Sequence, residues 1–427
     1  MGAIQTIVQA WRIPEMRKKI IFTVVMLIIF RIGSNIPVPY INRELLQSML
    51  DANTAGLFGL FDLFSGGSFS NFTIFALSIT PYITSSIILQ LLTIAIPALE
   101  RLAKEGEEGR RKIAAYTRYI TVALALIQSV GYTFGLFNSV LTTDSIFVKI
   151  VIVLVLMAGT SFLMWLGERI DEKGVGNGIS LLIFAGIVSR VPTTVRSTIT
   201  GTIDGTYSWI SVVLFCLFAI VVTAGIVLVQ EGTRKIPVQY AKRVVGRKMY
   251  GGQSTNIPIK VNQAGVIPVT FAVSLLQLPA TVAYMVPNSG FADWVTKYLS
   301  TSGNPGFWIY FILDMVLIFA FTYFYGSIAF NPVEIADNLK NNGGFIPGLR
   351  PGRNTADYIQ KVALRLDLVS AVFLAIVAAI PTLLQHWTAL GIGFGGTSLI
   401  IAVGVALDTV RSIETQMQLR NYQGFLK

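Results

Sequence analysis

The sequence predicts an all-α polytopic membrane protein: ten transmembrane helices arranged as two inverted five-helix halves. Three observations predict it. The chain is too apolar for water, its basic residues gather on one side of ten apolar runs, and the fifth and tenth runs repeat each other. Of 427 residues, 53% are hydrophobic and 13% charged, with a mean hydropathy of +0.65, whereas soluble chains carry about 25% charged residues. A water-soluble core cannot absorb that excess, so it must face lipid.

A hydrocarbon core of about 30 Å is crossed by about 20 helical residues. The expected spans run from Lys19 to Pro37, Phe72 to Ile96, Tyr116 to Phe137, Ile146 to Leu166, Gly178 to Val191, Ser208 to Val229, Gly265 to Val286, Phe307 to Phe330, Leu366 to Leu384 and Gly393 to Leu407. The fifth and tenth are short. Placing the N-terminus and every even-numbered loop on one side puts 27 lysines and arginines there and five opposite: Arg43, Lys149, Arg190, Arg196 and Lys297. Arg31 lies inside the first span. The positive-inside rule then assigns the basic side, with both chain ends, to the cytoplasm. The first run is long enough to span and lacks a convincing cleavage site, so it reads as an anchor rather than a signal peptide.

Composition also removes several chemistries. Cys216 and His386 are the single cysteine and the single histidine, so no intrachain disulfide and no cluster of Cys and His ligands can form. No metal and no cofactor are expected. Gly391 to Gly396 matches a dinucleotide fingerprint by letters, but it joins two membrane helices and follows no strand.

The repeat lies at the end of each set of five. Gly178, Ser180, Leu181, Ile183 and Gly186 recur 218 residues later as Gly396, Ser398, Leu399, Ile401 and Gly404. Five is odd, so equivalent helices cross in opposite senses, and the interface between such halves is where a pathway forms. The halves are expected at 1–191 and 192–427.

Pro81 lies within the second expected span and Pro268 within the seventh, and each predicts a bend, because proline removes a helical hydrogen bond. Ile83 and Ile87 lie four apart on one helix face, as do Ile183 and Ile187, and stiff β-branched side chains facing a shared axis could form an apolar constriction. Thr54 to Asn71 is dense in leucine and phenylalanine, yet Ala55 to Phe64 would extend only about 15 Å as a helix. It is either interfacial or re-entrant. Two long basic loops, about 231–262 and 331–365, suit docking of an acidic or RNA-containing partner. The first holds Lys242, Arg243, Arg247, Lys248 and Lys260 from Tyr240 to Asn262 with no acid among them, and the second ends Phe345-Ile-Pro-Gly-Leu-Arg-Pro-Gly-Arg353.

At Pro81-Tyr-Ile-Thr-Ser-Ser-Ile-Ile-Leu-Gln-Leu91, Glu172-Lys-Gly-Val-Gly-Asn-Gly-Ile-Ser180, Tyr240-Ala-Lys-Arg243 with Gln253-Ser-Thr and Lys260-Val-Asn, and Phe345 to Gly352, the sequence resembles the SecY family of protein-translocation channel subunits. The resemblance covers essentially the full length. It implies an hourglass pore between the halves that passes unfolded secretory polypeptides and releases membrane proteins sideways into the bacterial plasma membrane. The pore ring then carries to Ile83, Ile87, Ile183, Ile187, Ile267, Thr270 and Ala406. Thr270 and Ala406 depart from the isoleucine-rich pattern, and Ser78 and Asp171 are further departures.

The plug carries to about 55–70, with Ala55, Gly56, Leu57, Phe58, Leu60, Phe61, Leu63 and Phe64 as its apolar residues. A lateral gate into membrane lipid would involve Pro81, Gln90, Gln128, Pro268, Ser274 and Gln277. Lys242, Arg243, Arg247, Lys248, Arg350 and Arg353 would dock the SecA ATPase and the ribosome. SecE-like and SecG-like subunits and signal-bearing preproteins are the remaining implied partners. The competing reading is a five-plus-five secondary transporter, which needs ionisable groups at the midplane; Asp314 and Arg31 are the main deep charges. An intramembrane enzyme is more distant, for no paired aspartates, zinc ligands or Ser/His pair are visible.

Overall fold

The computed structural model describes residues 3–42, 44–46, 48, 62, 65–205, 208–240, 243–245, 248–250, 254–286, 289–299, 305–388 and 396–424. A short amphipathic helix, α1 (Ala3–Arg12), precedes the first span, α2 (Pro14–Gly33). The rest of the first half is α3 (Thr80–Ala95), α4 (Pro97–Lys104), α5 (Glu107–Gly131), α6 (Ile146–Lys173) and α7 (Gly178–Ile203). The second half holds α8 (Trp209–Glu231), α9 (Ile267–Met285), α10 (Gly290–Tyr298), α11 (Gly306–Ala329), α12 (Pro332–Asn341), α13 (Arg353–Thr388) and α14 (Gly396–Gly424). Each of the ten expected spans corresponds to a helix. Among the described residues, α5, α6, α7, α8, α11 and α13 are long and apolar enough to cross a membrane unaided, and α3 with α4 forms a further candidate bent by 101°.

Two expected features change. The second span starts at Thr80 rather than Phe72, and the seventh starts at Ile267, so Pro81 and Pro268 both sit in the first helical turn. No intrahelical bond is lost there, because the first N–H groups of a helix have no partner to give up. These prolines open helices instead of bending them; Pro192 in α7, Pro279 in α9 and Pro381 in α13 lie in helix interiors instead. The fifth and tenth helices are not short either. They run to 26 and 29 residues, because polar continuation beyond the apolar stretch stays helical, and α7 passes unbroken through the expected boundary at 191/192.

The stretch before α3 shows how non-helical backbone is held at depth. Gly66 to Ile79 is a succession of turns. Val38 N–H donates to Phe72 O and Ile74 N–H donates to Ile36 O, both at 3.0 Å. Phe69 and Phe72 are buried with Val38, Tyr132, Phe137 and Ile152, and Phe72 meets Phe137 edge to face at 4.4 Å. Ser78, one of the departures, has φ of +53°, a conformation that favours glycine. Asp171, the other, accepts the Gly178 N–H at 2.7 Å, while Asn177 accepts from Ser180 N–H at 2.9 Å; together they cap α7.

Helix packing repeats between the halves. In the first, α3 packs on α5, α5 on α6, α6 on α7 and α2 on α7; in the second, α9 packs on α11, α11 on α13, α13 on α14 and α8 on α14. These are the same four pairings five spans apart. The two long basic loops fold into strands that the helical reading did not anticipate: β1 (Thr233–Tyr240), β2 (Arg243–Val245), β3 (Lys248–Tyr250), β4 (Ser254–Lys260) and β5 (Gly344–Phe345). Antiparallel pairing gives the order β4-β1-β5. Ile236, Val238, Ile259, Leu339, Ile346 and Ile359 form a core beneath that sheet.

Close approach of the buried turns to α6 depends on glycine at Gly159, where a Cβ would stand 1.9 Å from the Ile74 carbonyl oxygen. Gly290 has open space around it. Gly159→Ala should therefore destabilise the fold by about 1–3 kcal/mol, seen as a lower unfolding temperature in detergent, while Gly290→Ala leaves that temperature unchanged.

Candidate functional site

The halves meet around an apolar neck. Ile183 and Ile187 of α7, Ile401 and Val405 of α14 and Val273 of α9 are all buried in one cluster. Ile83 of α3 packs against this cluster and also against a second one containing Ile87, Val266 and Val269. The neck thus draws side chains from the second, fifth, seventh and tenth spans. At its centre the repeat is literal, for Ile401 and Val405 stand 218 residues after Ile183 and Ile187.

Other ring candidates lie differently. Ile267 and Ala406 are exposed and Thr270 is half-buried; Thr270 Oγ1 donates to the Ile267 carbonyl at 2.8 Å. Ile401 and Val405 are the buried tenth-span side chains in the cluster with Ile183 and Ile187, whereas Ala406 faces outward. The 218-residue offset carried that information in the sequence.

Two glycines flank the neck in matching positions. A Cβ on Gly66, whose φ is +64°, would lie 2.6 Å from Gly186 Cα on α7, and a Cβ on Gly404 of α14 would lie 2.2 Å from the Val266 side chain. In each half, then, the segment leading into a proline-opened helix lies on a glycine of the half's last span. The expected plug residues Ala55, Gly56, Leu57, Phe58, Leu60, Phe61, Leu63 and Phe64 lie outside the described residues. The end of their segment is described: Asp62, Ser65 and Phe69 are buried, and Asp62 pairs with Arg190 of α7.

On one flank α9 packs against both α3 and α5. A Cβ on Gly131 of α5 would strike the Met285 side chain of α9 at 2.1 Å. Tyr325 of α11 donates its hydroxyl to Gln90 Oε1 of α3, a bond between halves that the sequence reading missed. Gln128, Ser274 and Gln277 are buried, and Gln277 Nε2 has no hydrogen-bond partner among the described residues. Pro81 and Pro268 lie at the starts of the two facing helices α3 and α9.

The two basic loops are joined by a strand. β5 pairs with β1, bringing Phe345 opposite Gln239 and Gly344 opposite Tyr240, so the second loop is a strand of the first loop's sheet. Arg350 and Arg353 are exposed, in a turn where Gly348 and Gly352 have φ of +84° and +104°. Arg243 opens β2 and Lys248 opens β3, which pair antiparallel. Lys242 and Arg247 lie outside the described residues. No group of three or more His, Cys, Asp or Glu residues able to hold a metal occurs among the described residues.

A two-halved helical membrane bundle with an apolar neck, a flank where the halves touch and a strand-bearing basic segment outside the spans defines the class of multi-pass membrane channels. The SecY family model matches residues 73–410. The chain is 45% identical to the protein translocase subunit SecY of Streptomyces galbus, covering 98% of this chain and 99% of that protein. It therefore belongs to the SecY family.

Solved structures agree on the fold. One described as the structure of a protein conducting channel matches with a TM-score of 0.68 at 19% identity, over 94% of this chain and 92% of that one. Sec61 in a canine ribosome-channel complex from the endoplasmic reticulum matches with a TM-score of 0.64 at 18% identity, over the same shares of each chain.

The Tyr325 hydroxyl is a local test of the flank. Tyr325→Phe removes one hydrogen bond, worth about 0.5–1.5 kcal/mol, and loosens contact between α3 and α11. A cysteine placed at Ser86 in a Cys216→Ser chain should then react several-fold faster with a water-soluble thiol reagent than in the Tyr325 parent.

Proposed function

We propose that the chain is the central subunit of a protein-conducting channel in the bacterial plasma membrane, with both ends cytoplasmic. It passes unfolded secretory polypeptides through the neck and releases membrane proteins through the flank formed by α3, α5, α9 and α11. It is a channel subunit, not an enzyme, and the movement is powered by a partner. The observation that carries this reading is the burial of Ile183, Ile187, Ile401 and Val405 together where the halves meet, with Ile83 packed against them, in a chain of the SecY family.

The physical logic is a gasket. An apolar constriction gates by dewetting, and a hydrated ion that enters must shed water at a cost of several kcal/mol. An extended polypeptide fills the same opening with its own side chains. In this reading Ile83, Ile87, Ile183, Ile187 and Ile401 form the ring, with Ile267 and Thr270 at its edge and the segment about 55–70 as the plug. The halves 1–191 and 192–427 supply its two sides.

A signal-bearing preprotein enters the flank because its apolar stretch gains about 0.8 kcal/mol per buried methylene. It displaces seam contacts such as Tyr325 to Gln90, beside Gln128, Ser274 and Gln277. The platform of Lys242, Arg243, Arg247, Lys248, Arg350 and Arg353 docks the SecA ATPase and the ribosome, and SecE-like and SecG-like subunits complete the complex. A transporter is the weaker reading, since family membership points to a translocase.

Replacing Ile83, Ile87, Ile183 and Ile187 with glycine should make the resting channel leak ions in planar bilayers; unchanged conductance removes these residues from the seal. Arg350→Glu should abolish SecA-driven translocation into inverted vesicles while the chain still inserts normally. Normal translocation by that variant would place docking elsewhere.

A further inference from the structure

We infer that Asp62 and Arg190 form an electrostatic latch that holds the root of the plug segment on the fifth span and sets how readily the channel opens. The inference rests on the channel reading above. It adds a pair of residues to which that reading gave no role.

Four contacts converge on this root. The Arg190 guanidinium pairs with Asp62 Oδ2, and Asp62 Oδ1 accepts the Ser70 N–H at 2.9 Å. One carboxylate therefore ties the segment to α7 and fixes the turn that follows it. Arg31 of α2 donates to the Gly66 carbonyl at 3.3 Å and to Ser34 Oγ at 3.4 Å. Gly66 lies directly on Gly186, one turn of α7 before Arg190 and one residue before Ile187 of the neck. Whatever lifts Gly66 from Gly186 must separate Asp62 from Arg190.

The architecture by itself does not require the pair. The equivalent lead-in to α9, Val261 to Val266, contains no charged residue, yet it packs on Gly404 just as Gly66 packs on Gly186. The repeat places Asp408 where the first half has Arg190, and Asp408 lies 3.9 Å from Arg411 on its own helix. Among the described residues, the lead-in that carries the plug segment is directly ion-paired to the last span of its half. Lys260, just before the other lead-in, acts on Asp408 without a direct ion pair, so direct pairing is not needed to hold a proline-opened helix in place.

Its burial suits a contact that must break and re-form. The Asp62 side chain is 10% exposed and that of Arg190 is 31% exposed. A fully exposed pair shifts an equilibrium up to about fivefold, and breaking a fully buried one shifts it about a hundredfold or more. The half-buried pair falls between them, at about tenfold. On opening, both charges can return to water in the vestibule.

The test uses the full chain, reconstituted with its companion subunits in planar bilayers, with resting openings counted. Asp62→Asn keeps the acceptor for Ser70 and removes the charge; Arg190→Gln removes the partner. Each should raise the frequency of resting openings about tenfold. The double variant should open no more often than either single one, because a shared contact can be lost only once. In the unmodified protein, raising salt should increase openings in the same direction, which requires no substitution to fold.

The glycine ring variant runs alongside. If it leaks while Asp62→Asn and Arg190→Gln behave like the parent, the latch is wrong and the channel reading stands. If the two single effects multiply in the double variant, the side chains act separately and the latch is also wrong. If the ring variant does not leak, Ile83, Ile87, Ile183 and Ile187 are removed from the seal, and the latch stands or falls on the two single variants and the double variant alone.

Discussion

Backbone that is not helical can survive at membrane depth only when protein buries it or water reaches it, because lipid offers no hydrogen-bond partner. That constraint organises this molecule. Two helices, α3 and α9, begin inside the bundle with a proline in the first turn, and the chain leading into each must be covered. In the first half the cover is extensive: the turns from Gly66 to Ile79 bond to Ile36 and Val38 and pack beneath Phe69, Phe72 and Phe137. In the second half Val266 lies on Gly404. The small residue on the last span of each half is what lets the lead-in come so close.

The neck follows from the same arrangement. Bringing each lead-in onto the glycine of α7 or α14 sets Ile83 and Val273 beside the side chains that flank those glycines, Ile183 and Ile187 in one half and Ile401 and Val405 in the other. β-branched residues hold their shape there, having little rotamer freedom to lose. The neck is thus the meeting place of two proline-opened helices and two glycine-marked spans, an apolar cluster of Ile183, Ile187, Val273, Ile401 and Val405 with Ile83 packed against it.

What the sequence made legible follows the strength of each physical signal. Spans such as α8 and α11 are visible because lipid demands long apolar runs. The start of α3 was hidden, because Phe72 to Ile79 is as apolar as the helix it precedes and buried turns leave no trace in hydropathy. The continuations of α7 and α14 were hidden for the opposite reason, being polar enough to read as loop. The sheet was missed because its strands carry proline and charge, and the alternation is brief, with Ile236 and Val238 inward on β1 and Ile257 and Ile259 on β4. Ile183 and Ile187 were legible from spacing. Ile401 was within reach through the 218-residue offset, and alignment by ring position led to Ala406 instead. Tyr325 and Asp62 had no sequence signal, since each matters only through a partner more than a hundred residues away.

The sheet's place in the chain gives the basic platform mechanical consequence. β1 begins two residues after α8 ends, and β4 ends seven residues before α9 begins, so the hairpin joins these two spans with almost no slack. β5 fastens the Arg350 turn to the same hairpin, and Ile346 and Ile359 bury it from below. A load on the exposed arginines is therefore carried by a stiff body rather than absorbed by loose loops. Its shortest route into the bundle leads to α9, which packs against α3 and α5 across the flank and supplies Val273 to the neck. α9 thus joins the strand-bearing end of the molecule to the apolar neck, and the proline at its start removes one N–H from its first turn.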